Sequence, residues 1–175
     1  MHASAFIAMG TNVSFGGAQS GALLRRAVDA MREAGLELRA QSSVWRTASW
    51  PVGSGQADYR NAVVEIDASN LTPQSLYAVM REVETRFGRE RRERWAPRTL
   101  DLDIVAIGDT DGVFDGILIP HPLMQERAFV LAPMAEIAGG WRHPRLRQTV
   151  AEMLSGLSDG AGCVREEPLE TGSDR

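Results

Sequence analysis

At 175 residues, 43% of them hydrophobic and 24% charged, the chain has the size and composition of one soluble domain with a real core. Its net charge of -4 excludes bulk electrostatic attraction to nucleic acid or to an anionic membrane. A single cysteine, Cys163, excludes an internal disulfide. No run approaches the roughly 18 apolar residues of a membrane span, and the first residues lack the basic start of a secretory signal. A cytoplasmic protein without nucleic-acid or membrane partners, and a monomer, is expected.

In chain order, Ala5 to Met9 is an apolar run ended by Gly10, Thr11 and Asn12, and predicts a buried strand. Leu23, Leu24, Ala27, Val28 and Met31 recur at helical spacing, and Gly35 stops them. Leu36 to Thr47 alternates loosely and predicts a strand, followed by the loop "ASWPVGSGQAD". Arg60 to Asp67 predicts another strand. Thr72 and Pro73 make an N-cap and first helical residue, and Leu76, Val79, Met80, Val83 and Phe87 trace the buried face behind them. Gly88 ends that helix.

A strand is expected from about Asp101 to Ile107, an edge strand from Val113 to Ile119, and helices near 122–138 and 146–157. Residues 1–157 form one domain in this reading, and 158–175 a mobile tail. The order strand, helix, strand, strand, helix, strand predicts an α+β, ferredoxin-like (split βαβ) sheet with helices packed on it and extra C-terminal helices.

The densest chemistry lies in "RERRERWAPRTLDLDI". Asp101 and Asp103, two apart on a strand, share a face with a backbone separation of about 6.5 Å. Carboxylates there need positive partners, either arginines or divalent cations. Two magnesium ions about 3.5–4 Å apart would fit such a pair. Arg89, Arg91, Arg92, Arg94 and Arg98 precede them, and guanidinium groups recognise phosphate oxygens bidentately. The competing reading is a solvated basic loop with an Arg–Asp network closing a strand end. Two other groups stand out: His121 with Arg127 and Phe129 in "IPHPLMQERAF", and Tyr59 with Asn61 in "DYRNAVVEID". An Asn amide suits the edge of a nitrogen heterocycle; a strand-end turn would use it equally well.

"AMGTN", "SSVWRT", "DYRNAVVEI", "GRERRERWAPRTLDLDI" and "IPHPLMQERAFVLAPMAEIA" together resemble the 2-amino-4-hydroxy-6-hydroxymethyldihydropteridine pyrophosphokinases of folate biosynthesis, over about residues 5 to 140. The resemblance implies transfer of an intact pyrophosphoryl group from ATP to the pterin hydroxymethyl oxygen, with AMP released. It implies that Asp101 and Asp103 hold two Mg2+ ions and that Arg89 and Arg98 stabilise charge at the phosphates. Arg91, His121 and Arg127 would contact ATP, with Glu84 near the nucleotide and metal and Trp95 closing the site on a mobile loop. Asn61 would read the pterin edge, Tyr59 and Phe129 would sandwich its ring, and Thr47 would complete the pocket. Pro122 and the loop after Thr47 depart from the family pattern. A different magnesium-dependent transferase on the same sheet would share the aspartates and arginines without needing Asn61 between two rings. A non-catalytic binding module would tolerate loss of both aspartates.

Overall fold

The computed structural model describes residues 3–18, 20–49, 55–88, 99–157 and 162–169. Its main sheet is antiparallel throughout. Strands β1 (Ser4–Thr11), β2 (Leu38–Gln41), β3 (Ser43–Thr47), β4 (Tyr59–Asp67), β5 (Asp101–Ile107) and β8 (Val164–Pro168) build it in the order β5-β1-β4-β3-β8, with β2 also on β4. Helices α1 (Ser20–Glu33) and α2 (Pro73–Arg86) follow β1 and β4, which is the ferredoxin-like split βαβ arrangement.

Alternation along the strands divides the interior in two. Ile7 and Met9 of β1, Val64 and Ile66 of β4, and Leu102 and Ile104 of β5 pack with Leu23, Met31, Leu76 and Met80 of the first two helices. Phe6, Val63 and Val105 face the opposite way. They meet α3 (Ala128–Ala138) and α4 (Val150–Gly156) through Val130, Leu131, Met134 and Met153. The C-terminal helices therefore cover part of the second face of the sheet.

Several local outcomes refine the expected elements. β1 continues through Gly10 and ends at Thr11, inside the expected Gly10–Asn12 stop. The Leu36–Thr47 run splits at Ser42, whose N–H donates to Val63 O and whose hydroxyl accepts from Val63 N, so one residue separates β2 from β3. The expected edge strand 113–119 is a hairpin, β6 (Gly112–Phe114) with β7 (Ile117–Ile119). Its turn residues Asp115 and Gly116 both have positive φ (50° and 85°), which is the demand of a tight hairpin turn and the reason for the Asp-Gly pair. Between His121 and Ala138 a short 3-10 turn, Met124–Glu126, precedes α3. Within the expected tail, Val164–Pro168 pair with β3 as strand β8, and Leu169 is buried. Among the described residues no helix is long and apolar enough to cross a membrane.

Helix α2 starts on a reciprocal capping box between Thr72 and Ser75. It ends at Phe87 and Gly88, the latter at φ 73° with its N–H on Thr85 O. A Cβ on Gly88 would stand 2.5 Å from the Phe15 ring, which itself packs on Phe87 with centroids 6.2 Å apart. Gly88→Ala should lose about 1–2 kcal/mol from the left-handed backbone alone, and more from displacing Phe15. A urea midpoint shifted down at unchanged slope checks this.

Candidate active site

The register of three strand pairs determines the site. Gly10 on β1 lies opposite Asp101 on one side and Asn61 on the other, and Asn61 lies opposite Trp45 on β3. Directly paired residues project to the same face, so Asp101, Gly10, Asn61 and Trp45 form one row across the sheet. Asp103, Ala8 and Val63 form the next row. The face is the one α3 covers, since Trp45 Nε1 donates to Glu136 of α3 at 3.0 Å. Two strand spacings, about 10 Å, separate the acidic edge from the amide. With only glycine and alanine between them, the middle of the row is a trough.

At the acidic edge, Asp101 and Asp103 are half-buried while Leu102 and Ile104 turn into the core, as the two-residue spacing predicts. Arg127, at the start of α3, reaches Asp103 at 3.9 Å, a loose approach that leaves its guanidinium 5.7 Å over the Phe129 ring. His121 is anchored by its N–H to Val105 O, and its Nδ1 accepts from Leu123 N–H at 3.2 Å. Burial, and then the nearby Arg127 charge, push the His121 pKa down against the pull of Asp103. The ring is therefore neutral at neutral pH, with its proton on Nε2.

Glu84, which the resemblance puts near the nucleotide and metal, lies beside the strand segment that carries both aspartates. It is buried on α2, where it accepts the Leu102 N–H at 2.9 Å and pairs with Arg81 at 2.8 Å. Strand β5 is the edge of the sheet, and Glu84 supplies the acceptor that a further strand would otherwise provide. These contacts hold in place the strand that carries both aspartates.

At the other end of the row, Asn61 is buried and its Nδ2 donates to Thr47 Oγ1 at 2.8 Å. Tyr59 pairs with Thr47 across the β3–β4 ladder, so both share the face of Asn61. Phe129, in the first turn of α3, is 39% exposed. Gly10 sets the fit here: a Cβ would lie 3.1 Å from Asn61 Oδ1. Burial alone would raise the Glu136 carboxyl, but hydrogen bonds from Ser43 and Trp45, with the Arg165 charge, carry it below the usual range.

The structure thus brings Asp101, Asp103, His121, Arg127, Thr47, Tyr59 and Asn61 to one face, with Phe129 of α3 against Arg127, and keeps Glu84 beneath it. Arg89, Arg91, Trp95 and Arg98 lie outside the described residues. Sequence reasoning missed Gly10, Ala8, Trp45 and Glu136. A glycine inside a strand pattern, the signal of close approach by another group, was available for Gly10. Among the described residues no group of three or more His, Cys, Asp and Glu side chains gathers around a metal position. Two carboxylates on one face still match magnesium, which takes the rest of its shell from water and substrate phosphates.

Fold and site define an α+β protein of the split βαβ type with one polar trough across its sheet. Residues 6–139 match the family described as 7,8-dihydro-6-hydroxymethylpterin-pyrophosphokinase (HPPK). The chain belongs to this family, in agreement with the motif resemblance. A 2-amino-4-hydroxy-6-hydroxymethyldihydropteridine pyrophosphokinase of Bacillus subtilis is 39% identical, over 99% of this chain and 96% of its own. The protein of that name from Methylorubrum extorquens is 35% identical, over 93% and 98%. The one from Synechocystis is 42% identical over 69% of this chain and 60% of its own length, so the match spans less than two thirds of that relative. Crystal structures of Plasmodium falciparum HPPK-DHPS share the fold. The wild type has a TM-score of 0.66 at 11% identity, over 89% of this chain and 44% of that one. A form with pterin and p-hydroxybenzoate gives 0.68 at 12%, over 94% and 47%. The chain spans about half the length of those structures.

Because the Leu102 N–H has its acceptor in Glu84, Glu84→Ala should cost about 2–4 kcal/mol of stability. Glu84→Gln, which keeps an oxygen at that place, should cost less. Chemical denaturation of the two variants beside the parent chain tests the order.

Proposed function

We propose that this chain transfers a pyrophosphoryl group from ATP to the hydroxymethyl oxygen of 6-hydroxymethyl-7,8-dihydropterin, giving AMP and the pterin diphosphate. The observation that carries the reading is the row Asp101, Gly10, Asn61 on one sheet face, in a chain of the HPPK family. Its acidic end suits metal-bound phosphates and its amide end a heterocycle, about 10 Å apart. That distance accommodates a bicyclic ring at one end and the transferred phosphorus at the other.

In this reading the pterin ring stands on the Asn61 side with Tyr59 and Phe129 on its faces, and Asn61 and Thr47 meet its polar edge. The hydroxymethyl oxygen forms a bond to the β-phosphorus while the bond to the bridging oxygen of AMP breaks, and the leaving oxygen keeps the electron pair. The hydroxyl proton passes to a carboxylate or to solvent. Asp101 and Asp103 would hold two magnesium ions, which supply charge neutralisation and in-line alignment at the phosphates when bound. Arg127 stands beside them, and neutral His121 offers an Nε2–H to a phosphate oxygen. Glu84 acts through the start of β5. Arg89 and Arg98 take the charge-stabilising roles, Arg91 a nucleotide contact and Trp95 the sealing role, all four read from the motif. A monomer working on two small molecules in the ATP-containing, reducing cytoplasm completes the proposal.

AMP should form from ATP and magnesium only when the hydroxymethyldihydropterin is present, and a chelator should stop it until magnesium is restored. AMP release independent of the pterin would overturn the substrate assignment. Asp101→Ala and Asp103→Ala should each lower turnover by about 100-fold or more with the fold intact by circular dichroism. Asn61→Ala should instead weaken pterin binding, by about tenfold for a lost buried hydrogen bond. Gly10→Ala should weaken it in the same direction by crowding Asn61 Oδ1; titration of both variants with pterin separates these effects from turnover.

A further inference from the structure

Strand β8 closes the free edge of β3, and its neighbouring residues Arg165 and Glu166 point to opposite faces. On the face of the trough, Arg165 Nε donates to Ser43 Oγ at 2.9 Å and Arg165 Nη2 to Glu136 at 2.8 Å. Glu136 also receives Ser43 N–H, Ser43 Oγ–H and Trp45 Nε1–H. On the far face, Glu166 bridges Arg46 at 3.2 Å and Arg60 at 2.6 Å. Those two arginines are direct partners across the β3–β4 ladder, where like charges repel unless something stands between them. Asp58 takes a second nitrogen of Arg46 at 2.9 Å, and the Arg46 hydrogen bond holds the Asp58 carboxyl below its ordinary range.

Each bridged arginine sits between residues of the trough. Arg46 lies between Trp45 and Thr47, and Arg60 between Tyr59 and Asn61. A carboxylate that fixes the spacing of the two arginines from behind also fixes the backbones that present Thr47, Tyr59 and Asn61 in front. β3 and β4 are in register at just three pairs here, Trp45 with Asn61, Arg46 with Arg60 and Thr47 with Tyr59, so the ladder alone holds this end lightly.

We propose that β8 is a clasp for the acceptor end of the site, with Glu166 a positioning residue for the pterin pocket. The proposal rests on the reading that this end of the row receives the pterin. The bridge is partly exposed, with side-chain exposures of 40% for Arg46, 26% for Arg60 and 29% for Glu166, so it contributes little to global stability. Its effect falls on the alignment of Thr47 and Asn61, and hence on acceptor affinity more than on ATP or turnover.

The test uses the full chain and its Glu166→Gln, Glu166→Ala and Glu166→Asp variants. Fluorescent 6-hydroxymethylpterin is titrated with magnesium and a non-hydrolysable ATP analogue present, and the analogue is titrated separately. In Glu166→Gln the pterin Kd should rise about three- to tenfold, with analogue affinity and saturated turnover within about twofold. Glu166→Asp should recover part of the loss, and high salt should narrow the gap between parent and Gln variant, since screening weakens the bridge. An unchanged pterin Kd in the folded variants overturns the clasp, as does a parallel loss of pterin affinity, analogue affinity and melting temperature. Should Glu166→Ala fail to fold, Glu166→Gln, which keeps the shape and drops the charge, decides. A parent chain that releases no AMP and binds no pterin refutes the reading of the site; a parent that does both beside unaffected variants refutes the clasp alone.

Discussion

The pairing of β1 between β4 and β5 is the constraint on which the remaining features depend. A strand with a partner on each side transmits register in both directions, and a slip of one residue would turn every side chain to the other face. With Gly10 opposite both Asp101 and Asn61, residues far apart in the chain are brought into one row. The same register sends Ile7, Met9, Leu102 and Ile104 into the core under α1 and α2. Slipping the site would therefore expose the core, so hydrophobic burial enforces the alignment of the polar row.

Carboxylates in this protein divide by how they are satisfied. Glu84 and Glu136 are surrounded by donors: a strand N–H and an arginine for the first, serine, tryptophan and arginine for the second. Glu166 is shared between two guanidinium groups. Such groups organise backbone, because moving them would strand several donors at once. Asp101 and Asp103 are half-buried, and the Arg127 approach to Asp103 is loose at 3.9 Å. Both stand at the acidic edge of the trough, where the proposed function seats a cation and its phosphate ligands. One residue type thus serves as brace in one setting and as candidate metal ligand in another.

Much of this was legible in the sequence where a local rule sufficed. The two-residue spacing of Asp101 and Asp103 placed both on one face, and the Thr72–Pro73 start gave α2 its cap. The split βαβ order followed from the sequence of hydrophobic periods. What stayed hidden depends on pairing between distant segments. Gly10 reads as part of the Gly10–Asn12 strand stop when its neighbours are unknown, and becomes a spacer only with Asn61 beside it. The resemblance names Glu84 near the nucleotide and metal, but its contact with the Leu102 N–H arises only because β5 lies at a sheet edge. The polar composition of Val164–Pro168 gives no apolar alternation, so the strand is invisible until β3 offers it an edge and Glu136, Arg46 and Arg60 offer it charges.

These differences have a common physical origin. Apolar alternation reports which face of an element is buried, whereas edge strands are selected by what satisfies their outward hydrogen bonds. At the β5 edge Glu84 accepts the Leu102 N–H; beside the opposite edge, Glu136 of α3 accepts from Ser43 of the neighbouring strand β3 and from the Arg165 side chain of the edge strand β8. The acidic end of the trough lies against the first edge and the amide end near the second. The geometry of each half of the site is consequently tied to a carboxylate on a helix outside the row, Glu84 of α2 or Glu136 of α3, while the central strand sets the distance between the halves. A change at either edge should disturb one half and leave the other in register, because β1 remains held by β4 and β5 along its length.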